Sequence, residues 1–324
     1  MSVNERKLRQ ANNEVSGSGY LKDFDLKYVN TENGNVVIKG EITIATDVQK
    51  SYKLKVYCPK KTADGKESKT YPYFDELINA GENADSMQNI LKRGAEEEIS
   101  KDKALAMSRK VYVKGTLSPW ERLDENDIIR TSNDIRVSFM GDAKGDKFEP
   151  GLKFKCEIYI NALKAEKNDK EENTGRGILS GTLPLYGGDV SSFEAIVPAE
   201  YKEAVFNAYD VGKTVEIYGE FDVQITEIED ETPPTQMAFG AAPEKSVSVK
   251  FKNELVLYGG SVAYSSQNEK SYNKEDIEEA RAAKMEKLQQ QKEEYNANKD
   301  KKENTASTMS SIPATPRKGT FNFG

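Results

Sequence analysis

Two segments of this chain, Lys110–Trp120 (KVYVKGTLSPW) and Thr214–Gln224 (TVEIYGEFDVQ), share one pattern. Each alternates apolar and polar residues around a glycine, which is Gly115 in the first segment and Gly219 in the second. Alternation with a period of two is typical of a half-buried strand, and a glycine inside a strand indicates a bulge or a close approach. We therefore predict that the chain builds the same barrel strand twice.

The segments around these two strands follow one order in both halves of the chain. In the first half, strand-like segments at 19–29, 35–46 and 51–58 precede a helical stretch, and the segments at 110–120 and 128–140 follow it. In the second half, strand-like segments at 154–163, 175–188 and 191–198 precede the helical 199–209, and 214–224 and 245–260 follow. A helix between the third and fourth strands of a five-stranded unit is the order of an OB-fold, a small Greek-key barrel.

We therefore predict an all-β fold with minor α content: two tandem OB-fold-like Greek-key barrels, a C-terminal charged helix and a disordered tail. The predicted boundaries are a disordered N-terminus at 1–16, a first domain at 17–150 with a helical insert at about 72–100, a second domain at 151–265, the helix at 266–298 and the tail at 299–324. The charged segment 166–175 fits either a boundary or a long hairpin loop, and 233–245 is predicted to be an inserted loop. The helix has a thin apolar stripe of Ile277, Ala280, Met285 and Leu288, so we expect it to be solvated.

The composition narrows the possible functions. The chain has no histidine, which removes the commonest general base and metal ligand and disfavours an enzyme. No apolar run is long enough for a membrane span, and the N-terminal residues contain no apolar signal core, so we expect a cytoplasmic protein that is not secreted. Cys58 and Cys156 lie inside apolar strand patterns and are expected to be buried free thiols. We predict no cofactor and no metal.

The net charge of −7 is unevenly distributed along the chain. Residues 1–170 hold 30 Lys and Arg against 28 Asp and Glu, whereas residues 171–324 hold 17 against 26. Between Lys50 and Thr70, seven lysines face only Asp64 and Glu67. A local excess of positive charge is what attracts a polyanion, even in an acidic protein.

Strand alternation turns several basic and aromatic side chains of the first half outward together. The candidate contacts for a single-stranded nucleic acid are Lys53, Lys55, Tyr57, Lys60, Lys61, Tyr112, Lys114, Trp120, Arg122 and Arg136. Aromatic rings can stack on bases for about 1–3 kcal/mol each, and the cations can contact phosphates. The alternative is that tyrosine and lysine are ordinary strand and surface residues here. In the second copy the outward residues are Glu216, Tyr218 and Glu220, which would repel phosphates, so we expect that face to serve inter-domain or inter-subunit packing.

The chain also resembles the single-stranded-DNA-binding proteins of bacteriophages that infect Gram-positive bacteria. The resemblance lies in GYLKDFDLKYV with NVVIKGEITIAT, in GRGILSGTLPLYGG, and in MAFG with ELVLYGGSVAY before a charged helix, and it covers about residues 17–298. It implies tandem OB-like domains, sequence-tolerant binding of single-stranded DNA and a role in phage DNA replication or recombination. Proteins of this kind often end in an acidic Pro-Phe tail that recruits partners. This chain instead ends in PRKGTFNFG, where Phe321 and Phe323 are candidate docking anchors.

Two other interpretations stay open at this point. A phage structural or assembly protein could use OB-like barrels as interaction modules. A metal-dependent nuclease would need carboxylates on neighbouring elements, and only the clusters Glu96–Glu98 and Asp124, Glu125 and Asp127 come near that pattern.

Overall fold

The computed structural model describes residues 8–229 and 247–309, apart from residues 63, 96–97, 144–147 and 169. The strands are β1 Asn13–Asn30, β2 Val36–Ala45, β3 Ser51–Pro59, β4 Lys110–Leu117, β5 Trp120–Leu123, β6 Ile129–Ser132, β7 Ile135–Asp142, β8 Gly151–Lys167, β9 Asn173–Pro184, β10 Val190–Val197, β11 Thr214–Glu229 and β12 Val247–Gly260. The helices are α1 Tyr71–Ala80, α2 Met87–Arg93, α3 Lys101–Met107, α4 Ala199–Ala208 and α5 Lys274–Met309.

Ten of these strands close into two five-stranded rings. The first ring runs β1-β2-β3-β7-β4 and closes where β4 pairs with β1, and the second runs β8-β9-β10-β12-β11 and closes where β11 pairs with β8. In each ring the third and last strands are parallel, β3 with β7 and β10 with β12, and the other pairings are antiparallel. This is the strand order of an OB-fold, so the predicted pair of OB-like barrels is confirmed.

The two similar segments occupy the same place in the two barrels. Gly115 in β4 lies opposite Val15 of β1, and Gly219 in β11 lies opposite Phe154 of β8. Both glycines lie at a register shift in the ladder to the last strand. A Cβ on Gly115 would be 2.3 Å from the carbonyl oxygen of Arg136, and one on Gly219 would be 2.3 Å from the Phe154 ring. Close packing at a bulge therefore explains both glycines.

Strand β1 joins the two barrels. Its first half, from Asn13 to Ser18, pairs with β8, and its second half, from Tyr20 to Asn30, pairs with β2. The buried apolar side chains of both rings form one continuous cluster, which also contains the two free cysteines. The structure differs from our expectation of a disordered segment at 1–16, because Ala11 is buried and β1 begins at Asn13. Residues 1–7 lie outside the described part.

In its described residues the connection between β3 and β4 contains three α-helices, which extend the predicted insert by α3. The side chains of Ser86 and Ser100 cap α2 and α3 by accepting from the backbone N–H groups of Asn89 and Lys103. The segment 128–140, predicted as one strand, is two: β6 pairs with β5 in a separate hairpin, and β7 enters the barrel. Residues 166–175 form the end of the β8–β9 hairpin, so the hairpin alternative holds there. The predicted loop at 233–245 lies outside the described residues.

Helix α5 is docked along one face, contrary to our expectation of a solvated helix. Ile277 and Leu288 are buried, and Lys284 lies 3.6 Å from Glu121 on β5. Near the other end, Lys292 donates to the carbonyl oxygen of Asp124 at 2.7 Å and to the carboxylate of Asp127 at 2.6 Å. The thin apolar stripe is sufficient to dock the helix, because lysines on the same face of α5 form ion pairs and hydrogen bonds with the β5–β6 hairpin. The helix also continues to Met309, beyond the predicted end at 298.

No helix in the described ranges is long and apolar enough to cross a membrane.

Candidate nucleic-acid interface

One face of the first barrel carries an open groove with a volume of about 770 Å³. We call it the barrel-1 groove. Strands β1, β2, β3 and β7 form its floor, and the Ser118–Trp120 segment after β4 forms one wall. Its charged and aromatic lining residues are Asp25, Lys27, Lys39, Glu41, Lys55, Tyr57, Trp120, Asp134 and Arg136. Four of the predicted contact residues therefore meet in one place, although they come from separate elements.

Two aromatic rings in this groove are available to a ligand. Tyr57 is 41% exposed and Trp120 is 56% exposed. The Arg136 guanidinium lies 5.2 Å from the centre of the Tyr57 ring, a cation–π contact that holds the ring and the charge together. An exposed ring beside a fixed guanidinium offers a base a stacking surface and its phosphate a partner.

The groove contains charges of both signs. Lys55 forms an ion pair with Glu41 at 2.9 Å, and Asp134 lies 3.9 Å from the same ammonium group. Hydrogen bonding to Glu41 raises the pKa of Lys55, so this lysine stays charged. The lining has four cations against three carboxylates, which leaves a small positive excess concentrated on the Lys27, Lys39 and Arg136 side.

Lys27 and Lys39 were not among the predicted contact residues. They are directly opposite each other across β1 and β2, and Lys39 is in turn opposite Tyr57 across β2 and β3. Within the described residues neither lysine has an ion-pair partner. Two like charges directly opposite each other destabilise a sheet, and no carboxylate of the described residues pairs with them to offset that cost. The alternation in LKDFDLKYV and VVIKGEI places both lysines outward, and this signal could have identified them.

The residues next to Trp120 are held in place by contacts from several parts of the fold. The neighbouring residue Glu121 is buried, and its carboxylate accepts a hydrogen bond from the Ser192 backbone N–H of β10 at 2.7 Å. The same carboxylate faces Lys284 of α5 at 3.6 Å. On the other side, the Ser118 N–H donates to the Asp134 carbonyl oxygen at 2.7 Å. The second barrel and α5 therefore hold the β5–β6 hairpin, whose first residue is Trp120, beside the groove.

The other predicted contact residues lie outside the groove. Lys53 is exposed on the same side of β3 as Lys55, and Lys60 and Lys61 are exposed where β3 ends. Tyr112 and Lys114 lie on β4 opposite Gly141 and Phe139, and Lys114 also faces Ser16 of β1. Arg122 lines a cleft between the β5–β6 hairpin and α5, and Trp120 lines both this cleft and the groove. Phe321 and Phe323 lie outside the described residues.

The matching face of the second barrel carries apolar residues. The two barrels can be aligned on Gly115 and Gly219, which occupy the same place in each. In this alignment Val256 corresponds to Arg136, and Ile196 corresponds to Lys55. Ile196 is buried, although its equivalent in the first barrel points to solvent. The second barrel therefore presents apolar side chains, a buried Ile196 and a half-buried Val256, where the first presents cations.

An ion network replaces the open lysines at this end of the second barrel. The position equivalent to Lys39 is Arg176, which pairs with Glu166 at 2.6 Å and Glu254 at 3.0 Å. The hydrogen bonds from Arg176 lower the pKa of Glu166, so the buried carboxylate remains ionised. These charges already have protein partners, unlike Lys27 and Lys39 among the described residues of the groove.

Glu216 of the second similar segment is engaged by the protein itself, whereas Glu220 is exposed. Glu216 forms an ion pair with Lys155 of β8 at 3.0 Å and accepts from the Asn12 side chain at 3.2 Å. The Tyr218 hydroxyl donates to the same carboxylate at 2.5 Å. Because Asn12 immediately precedes β1, this face contributes to the seam between the barrels, which agrees with the packing role expected from the sequence.

A comparison with curated protein sequences finds no match. Comparisons with solved structures and with protein families each give a result. Among solved structures, the chain is similar to the wild-type single-stranded DNA binding protein from Thermus aquaticus, with 9% identity, a TM-score of 0.41, and 81% of this chain and 97% of that chain covered. A deletion mutant of the same protein gives 9% identity, a TM-score of 0.39, and coverage of 81% and 98%. The model of the YorF family matches residues 11–294, which is most of the chain, so this protein belongs to the YorF family.

Proposed function

We propose that this protein binds single-stranded DNA through the barrel-1 groove, with little sequence preference and without catalysis. The observation that carries the proposal is the convergence of two exposed aromatic rings with Lys27, Lys39, Lys55 and Arg136 in one open channel. Every base has a face that can stack on an aromatic ring, so such a site tolerates any sequence. The cations contact the backbone, which all sequences share.

The position of the two rings favours a single strand over a duplex. Tyr57 and Trp120 line the same groove as the cations, so a strand whose phosphates meet the cations must present unstacked bases to the rings. Bases in a duplex are stacked on each other and cannot do so.

The direct test is a fluorescence titration of the purified chain with oligo-dT. Trp120 is the only tryptophan in the sequence and lines the groove, so its emission reports binding there without a label, although Trp120 also lines the cleft beside α5. We expect emission to change on binding and the affinity to fall steeply as salt rises, because phosphate contacts release counterions. No change in emission or mobility at low salt would contradict the proposed site and function together.

The wider role is a further part of this proposal. The resemblance to phage single-stranded-DNA-binding proteins supports coating and protection of single strands during phage DNA replication or recombination in the host cytoplasm. Replication or recombination proteins of the phage are then the expected partners, and a homo-oligomer is compatible with this role.

The alternative function is that of a phage structural or assembly protein. One observation favours this alternative: the two barrels share one continuous core and α5 is docked on them, and such a unit would make a rigid spacer. That alternative predicts assembly into a particle and indifference to DNA. Size-exclusion chromatography with and without oligonucleotide separates the two functions.

A further inference from the structure

A second opening lies next to the barrel-1 groove, between the β5–β6 hairpin, the β8–β10 face of the second barrel and helix α5. We call it the inter-barrel pocket. Its volume is about 360 Å³, and its lining is rich in hydroxyl and amide side chains, including Thr131, Asn133 and Asn161. Two cations, Lys164 of β8 and Arg281 of α5, face one carboxylate, that of Glu194. The pocket is therefore polar with a positive excess, which suits an anion.

The pocket and the groove share a wall. The turn between β6 and β7 contains Asn133, which lines the pocket, and the next residue, Asp134, which lines the groove. The Asp134 carboxylate also lies 3.9 Å from Lys55, so this end of the groove carries a cation next to the turn. A ligand that leaves the groove over this turn enters the pocket directly.

The two cations of the pocket are available to a ligand. Among the described residues, Lys164 and Arg281 take part in no ion pair or side-chain hydrogen bond, and both are exposed. Other cations of α5 are used for docking: Lys284 contacts Glu121 and Asp189, and Lys292 contacts the hairpin tip. Arg281 lies one turn from buried Ile277 and from Lys284, so the docked helix holds its backbone in place while its guanidinium remains available.

We propose that the inter-barrel pocket is a second phosphate-contact subsite for the same single strand, in which Lys164 and Arg281 receive the backbone after it crosses the β6–β7 turn. This inference rests on the proposed function, because it extends a strand that first occupies the barrel-1 groove. Helix α5, which belongs to neither barrel, thereby becomes part of the nucleic-acid site. Arg281 can hold a phosphate through two parallel N–H donors, and Lys164 supplies a point charge.

The test compares the Lys164→Ala/Arg281→Ala double variant with the wild-type chain on two oligo-dT lengths. An oligomer of about 6 nucleotides is expected to occupy the groove alone, and one of about 20 nucleotides is expected to reach the pocket. For the longer oligomer we expect Kd to rise by roughly tenfold, and the slope of log K against log salt to fall by about 1.4, or 0.7 for each lost phosphate contact. For the shorter oligomer we expect no change.

The matched control is Lys101→Ala/Lys103→Ala, which removes the same charge from exposed positions on α3, away from both openings. It should bind both oligomers like the wild type, apart from a small uniform effect of net charge. Equal losses on both lengths, or an unchanged affinity for the longer one, would overturn the subsite. A wild-type chain that binds neither length would instead refute the proposed function, so the two failures are distinguishable. Circular dichroism of each variant confirms that the fold is intact.

Discussion

Replacement of Tyr57 by alanine separates DNA binding from folding more cleanly than other changes in the groove. The ring is 41% exposed and lies beside the Arg136 guanidinium, which is 5.2 Å from the ring centre. Losing that contact costs the free protein about 0.5–1 kcal/mol at an exposed site. Losing a stacked base costs the complex about 1–3 kcal/mol, which raises Kd by about 5- to 150-fold.

The assay is the Trp120 titration with oligo-dT at several salt concentrations, together with thermal unfolding of the free protein. Because Tyr57→Ala removes no charge, we expect the salt slope to stay at the wild-type value while the whole line shifts to weaker binding. Tyr57→Phe keeps the ring and should bind within about twofold of the wild type. Arg136→Gln is the converse variant, and it should lower the slope by about 0.7 for one lost phosphate contact.

Two results would refute the reasoning. If Tyr57→Ala binds within about twofold of the wild type, no base stacks on this ring, and the strand does not run through the groove as proposed. If Tyr57→Phe is as weak as Tyr57→Ala, the hydroxyl rather than the ring carries the interaction. A reduced melting temperature in step with reduced affinity would point to a folding defect, which the exposure of the ring argues against.

Three further changes test the charges and the packing around the groove. Glu41→Gln removes a carboxylate that competes with phosphate for its cross-strand lysine, so we expect Kd for oligo-dT to fall by about two- to tenfold at low salt, and weaker binding would contradict the groove as an anion site. Gly115→Ala forces a methyl group against a β7 carbonyl oxygen at 2.3 Å and should destabilise the fold by about 1–3 kcal/mol in denaturant titrations, whereas Gly151→Ala, with open space around it, should cost less than about 0.5 kcal/mol. The pKa of Glu166 is lowered by its hydrogen bonds to Arg176, so its stabilisation is complete above the ordinary value of about 4.3 and is lost as the pH falls through the lowered pKa. Glu166→Gln should therefore be less stable than the wild type at about pH 7, by about 1.5–3 kcal/mol, and approach it as the pH falls through the lowered pKa; a difference that does not change with pH would exclude the ion network as the cause.

The similar segments were a reliable guide to the architecture because barrel closure restricts local sequence. A strand that bends into a closed ring needs one apolar face and a residue without a Cβ where another chain segment approaches closely. Gly115 and Gly219 meet that need at equivalent bulges. The order of strands and helices then limits the possible connections, which is why the OB topology could be predicted. The division into domains near residue 150 stays a prediction, as does the role of each contact residue.

The errors in the sequence interpretation concern elements that are stabilised by distant partners. Helix α5 has little apolar surface of its own, and the hairpin that receives Lys284 and Lys292 makes it a packed element. The β5–β6 hairpin itself was merged with its neighbours, because the buried residues of β5 are Glu121 and Leu123, which give no apolar alternation. The N-terminal residues looked polar, yet the start of β1 is paired on both sides by strands that lie far away in the chain, β4 and β8.

By itself, the sequence determined which residues point inward, where the strands must bend and how many barrels form, because those properties depend on alternation and on glycine within a short stretch. Only the tertiary structure decided which outward residues share a surface. Tyr57, Arg136 and Trp120 come from separate elements and meet because β7 pairs with β3 in the ring, while Tyr112 and Lys114 share the same outward phase and are directed elsewhere. The position of a residue in the alternation fixes whether its side chain points inward or outward. Which outward side chains lie close together depends on the register between strands and on closure of the barrel, and no single segment contains that information.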